Sequence, residues 1–136
     1  MKKYHQIFLS LILALSLTGC TKEKVVDLSI LAVQYNQVMA IHAEGGDIGE
    51  GDYLNSAKIQ RFVTNMNYIQ TLQTVDESEV PMDSVITLEF QLRSANKKLY
   101  LCPPYIGIDG NWFKGDEKST EYIEIINDLL HENLGN

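Results

Sequence analysis

Cysteine is scarce in this chain: Cys20 and Cys102 are the only two in 136 residues. A densely disulfide-stapled fold is excluded by that count, and so is a CxxC redox or zinc-ribbon motif. Basic side chains are few as well, 11 lysines and arginines against 18 acids, for a net charge of -7. An acidic surface disfavours nucleic acid and anionic lipid headgroups. Neither GxSxG nor HExxH occurs, which removes the common serine-hydrolase and zinc-protease signatures. Internal repeats and low-complexity tracts are absent too.

What is present begins at the first residues. "MKKYHQIFLSLILALS" places Lys2 and Lys3 ahead of an apolar core from Ile7 to Leu17. That is the layout of a secretory signal peptide. The apolar run falls short of the roughly 20 residues that a stable membrane-spanning helix requires. It closes on Leu17-Thr18-Gly19-Cys20, a leucine and two small residues before a cysteine.

This stretch resembles the lipobox of bacterial lipoproteins. The resemblance covers the first 20 residues and implies cleavage between Gly19 and Cys20, with a lipid on the Cys20 thiol. Two or more acyl chains anchor a protein durably, whereas one does so only marginally. The expected address is therefore the extracytoplasmic face of a bacterial membrane, with residues 20–24 as a short tether and 25–136 as one domain. Loss of residues 1–19 removes Lys2 and Lys3 and no acid, so the charge moves from -7 to -9. With Cys20 lipidated, Cys102 has no intrachain partner.

Within the domain, "VVDLSILAVQYNQVMAIHAEGG" alternates at Val26, Leu28 and Ile30, breaks at Asn36-Gln37 and resumes from Val38 to Ala43. A hairpin is expected, with a buried helix as the alternative. "GGDIGEGD" reads as a flexible acidic connection. From Ser56 onward Ile59, Phe62, Val63, Met66, Ile69 and Leu72 recur at threes and fours, a helix capped by Asn55 or Ser56. "SVITLEFQLR" puts Ile86, Leu88, Phe90 and Leu92 on one face of a strand. Leu99 and Leu101 face the same core from the next strand, and Pro103-Pro104 is expected to end its pairing. Asp109-Gly110 is a tight-turn signal that predicts a second hairpin. The last helix carries Ile123, Ile126, Leu129, Leu130 and Leu134, with Ser119 or Thr120 as its cap and Gly135 at its end. The order implies an α+β fold, an antiparallel sheet of about four to six strands with two helices packed on one face.

Candidate chemistry is sparse. His42 and Cys102 could pair as base and thiol if their strands were neighbours, although a lone cysteine ending an apolar strand ordinarily packs in a core. His131 sits where a helix's negative end favours it. Asp47, Glu50 and Asp52 are close in sequence, but Gly49 and Gly51 occupy positions where a calcium loop needs ligands, so no metal or cofactor is expected. Tyr100, Tyr105, Trp112 and Phe113 cluster around two prolines and a turn. Tyr105, Asp109 and Trp112 are the expected contact surface for a protein, peptide or cell-wall ligand. The sequence thus favours a membrane-tethered, non-catalytic binding or accessory module. An immunity or exclusion lipoprotein that sequesters a cationic peptide and a small thiol enzyme built on Cys102 are the alternatives.

Overall fold

The computed structural model describes residues 27–53 and 56–134. The expected signal peptide at 1–19, Cys20, the expected tether at 20–24, Asn55 and Gly135 lie outside the described residues. Two 3-10 turns, Ser29–Ala32 and Tyr35–Gln37, lead into β1 (Val38–Gly45) and β2 (Glu50–Tyr53). Helix α1 (Ser56–Met66) and β3 (Leu72–Val75) follow. After two further 3-10 turns come β4 (Ile86–Leu92), β5 (Asn96–Cys102), β6 (Tyr105–Ile108), β7 (Asn111–Gly115) and helix α2 (Glu117–Leu134). All seven strands join one antiparallel sheet in the order β2-β1-β4-β5-β6-β7-β3. The fold is α+β as expected, with more strands than anticipated.

Alternation in β4 and β5 decides which face receives the helices. Leu88, Phe90, Leu99 and Leu101 are fully buried and meet Phe62, Val63 and Met66 of α1 and Ile123, Ile126 and Leu130 of α2. Phe62 and Phe90 hold their ring centroids 6.1 Å apart. Leu92 is only partly buried at the margin of this core.

The opposite face carries a smaller cluster. Cys102 and Trp112 are buried there with Val80, flanked by Val75, Val85, Tyr100 and Tyr105. Val80 comes from the segment between β3 and β4, which crosses this face through 3-10 turns at Glu77–Glu79 and Met82–Ser84. Asp76 starts the crossing as an N-cap, its carboxylate accepting from the Ser78 amide at 2.9 Å. We refer to residues 76–85 as the strap.

Three expectations need correction. The arm before Asn36 is not a strand: the Leu31 and Val33 carbonyls accept from the Asn67 side chain at 2.6 and 3.2 Å, so they are not offered to a ladder. β1 pairs instead with β2, the acidic stretch read as a flexible connection, and Gly45 turns the chain at φ +103. A Cβ on Gly45 would lie 2.7 Å from the Val85 carbonyl oxygen, so a side chain has no room there. Second, helix α1 stops at Met66; Ile69 remains buried, but Leu72 begins β3. Third, Asp116 caps α2, accepting from the Ser119 amide at 2.8 Å. The Ser119 hydroxyl instead accepts from the Gln70 and Thr71 amides at 3.1 and 2.9 Å. Pro103-Pro104, joined by a cis bond, ends β5 at Cys102 as expected, and the chain turns there into β6.

Candidate functional site

The strap, the β1–β2 turn and the C-terminal half of α2 enclose a cleft of about 530 Å³, lined by Asp47, Asp83, Ser84, Cys102, Asn127 and His131 among others. Its walls are tied together through His131. Nδ1 lies 2.9 Å from the Asn127 carbonyl and Nε2 lies 2.6 Å from the Asp47 carboxylate. A carbonyl and a carboxylate only accept, so both ring nitrogens act as donors and the imidazolium is favoured. The Asn127 carbonyl and then the Asp47 carboxylate raise the His131 pKa. The His131 imidazole in turn lowers that of Asp47.

Cys102 closes the floor of the cleft and is only 5 % exposed. Its Sγ faces the Pro81 carbonyl at 3.9 Å, and burial pushes the thiol pKa up. A nucleophilic cysteine needs the reverse shift. His42 is not its partner: β4 lies between β1 and β5. The histidine that shares a cleft with Cys102 is His131.

Of the three residues expected to form a contact surface, only Asp109 is fully exposed, at the β6–β7 turn with φ +53. Tyr105 is half-buried on the strapped face. Trp112 is 6 % exposed, because the Val80 side chain packs against it; it shapes this face from beneath and does not offer a ring to a partner.

The exposed charge lies elsewhere. Between Val25 and Leu92 the only basic residues besides His42 are Lys58 and Arg61. Asp76, Glu77, Glu79 and Asp83 are all exposed on the strap, together with Met82 at 51 % exposure. Asp47 and Asp83 both line the cleft. This acidic segment was legible as composition in "TVDESEVPMD", but the meeting of Asp83 with Asp47 at the cleft depends on the tertiary course of the strap.

A second polar group stands on the β1–β2 hairpin. His42 is opposite Asp52 and Glu44 is opposite Glu50. His42 Nδ1 lies 2.5 Å from Asp52 Oδ1, and Nε2 lies 3.0 Å from Glu50 Oε2. The hydrogen bond to Asp52 leads the causes that raise the His42 pKa. In linear order these acids do not match a calcium loop. The signal that could have found the group is the pair of i, i+2 spacings, His42/Glu44 and Glu50/Asp52, on either side of a glycine turn. Comparison of the chain with protein-family models, curated proteins and solved structures gave no match.

Proposed function

We propose that this chain is a lipid-anchored bacterial lipoprotein whose extracytoplasmic domain is a non-catalytic binding module for a cationic partner, such as a basic peptide or protein segment. The observation that carries the reading is the acidic strap, where Asp76, Glu77, Glu79 and Asp83 all stand exposed and Asp83 lines the cleft together with Asp47. Carboxylates arranged this way steer a cation to the surface and speed its encounter, an effect that salt screens. The exposed Met82 supplies an adaptable apolar contact beside them. Sequestration of a cationic toxin is one form this binding can take.

The thiol-enzyme alternative has the shared cleft of Cys102 and His131 in its favour. Against it stand the burial of Cys102 and a pKa raised from its ordinary value, which keep the sulfur protonated.

The test uses the full chain in detergent micelles and a fluorescent oligolysine peptide. Anisotropy should report saturable binding that weakens with added salt. A variant carrying Asp76→Asn, Glu77→Gln, Glu79→Gln and Asp83→Asn should bind at least about tenfold more weakly, the equivalent of 1.4 kcal/mol. Equal binding by both proteins would remove the strap from the reading.

A further inference from the structure

The β1–β2 hairpin places an imidazole between two carboxylates, and that arrangement has a chemical consequence apart from the strap cleft. A carboxylate cannot donate, so the contact with Asp52 assigns the N–H of His42 to Nδ1. In the singly protonated imidazole, Nε2 then turns its lone pair toward Glu50 Oε2, 3.0 Å away. Two acceptors at that separation require a cation between them, either a proton or a metal ion. Glu44 stands beside them on the same face, and ligand atoms from His42, Glu44 and Glu50 all lie within 4.8 Å of one another.

We propose that His42 Nε2 and the carboxylates of Glu44 and Glu50 bind a divalent transition-metal ion of the zinc class, with Asp52 orienting the imidazole from its other nitrogen. The donor set is right for such an ion. Zinc takes histidine nitrogen at about 2.0–2.1 Å and carboxylate oxygen at about 2.0–2.2 Å, so two ligands on one ion stand no more than about 4.4 Å apart. Glu44 and Glu50 are exposed, and rotation of their side chains closes the remaining distance. A carboxylate on the distal nitrogen of a ligating histidine fixes the tautomer and strengthens the ligand, which is the part Asp52 plays. Calcium needs about 6–8 oxygen ligands, more than this flat strand pair presents.

Surrounding charge favours a cation as well. Glu89 of β4 is the cross-strand partner of His42, and Lys98 of β5, opposite Glu89, is the nearest basic residue along that row. The site has three protein ligands and an open side toward solvent, which suits reversible binding.

The experiment is isothermal titration of the chelator-stripped full chain in detergent micelles with zinc chloride, and with calcium chloride for comparison. Wild type should take up one zinc per chain and bind calcium at least tenfold more weakly. His42→Gln should weaken zinc binding at least tenfold, Asp52→Asn by about 10–100-fold, and His131→Gln not at all. Should His42→Gln perturb the fold, the wild-type imidazole nitrogen spectrum gives an independent reading: zinc should shift Nε2 of His42 and leave Nδ1 protonated. No saturable zinc uptake, undiminished binding by a folded His42→Gln chain, or an unmoved Nε2 resonance would each overturn the proposal.

Discussion

Trp112 lays its indole across Gly107, its cross-strand partner on β6. A Cβ on that glycine would sit 3.2 Å from two indole carbons and 3.0 Å from the Tyr100 Cβ. The missing side chain lets the Trp112 and Tyr100 rings approach to 6.2 Å between centroids from the two neighbouring strands. Gly107→Ala should therefore overpack the strapped face and cost about 1–3 kcal/mol in a denaturant melt. An alanine variant as stable as wild type would mean that the indole can move aside freely.

The helical face makes a larger demand. Phe90 is fully buried against Phe62, and Phe90→Ala should lose about 3–5 kcal/mol through lost transfer energy and the cavity left behind. A loss below about 1 kcal/mol would contradict the placement of β4 in the core.

Ser119 predicts a cost out of proportion to its size. Its hydroxyl serves two backbone amides, those of Gln70 and Thr71, at 2 % exposure. Ser119→Ala strands both donors and should destabilise by about 1–3 kcal/mol, while Ser119→Thr, which keeps an acceptor, should recover part of the loss. Thr120→Ala is the control, because that hydroxyl donates to the single Gly115 carbonyl.

The tie between α2 and the β1–β2 turn should show a defined pH window. His131 has a folded-state pKa raised above 6.5, so its contribution is complete below that value and is lost as pH rises through the folded pKa. Asp47 is depressed from 3.8, so its contribution is present above 3.8 and is lost as pH falls through the lower folded pKa. The difference in thermal midpoint between wild type and His131→Gln should be greatest between 3.8 and 6.5 and shrink on either side. A difference constant from pH 4 to pH 9 would show that the ion pair does not form.

The proposed anchor is tested by metabolic labelling with a palmitate analogue. Label should enter wild type and not Cys20→Ser, and mass spectrometry should find no Met1–Gly19 segment on the labelled protein. Equal labelling of both chains would dismiss the lipid.

Strand β4 was legible in the sequence because burial of one face leaves a period-two record in Ile86, Leu88 and Phe90. Helix α2 was legible for the analogous reason at period 3.6. β2 left no such record: "EGDY" has little to bury, and its pairing comes from the glycine turn and the length of β1. β3 was absorbed into the preceding helix because Ile69 and Leu72 continue the threes-and-fours spacing by coincidence. The arm from Leu28 to Val33 alternates as a strand would, yet the Asn67 side chain takes its carbonyls. At the hairpin, the residue types were visible and their meeting was not, since antiparallel register alone sets Asp52 opposite His42.

Strand order also sets a timetable. From β4 to β7 each strand pairs with its successor, so residues 86–115 can zip together from short loops, whereas β1 waits for β4 and β3 waits for β7. The β1–β2 hairpin alone is too small to persist in water. For a chain that emerges N-terminus first, whether from a ribosome or through a translocation channel, the first half has no lasting partner until the meander behind it is out. The order in which the strands are made thus leaves β1 without its β4 partner until residue 92 is out, and β3 without β7 until residue 115 is out.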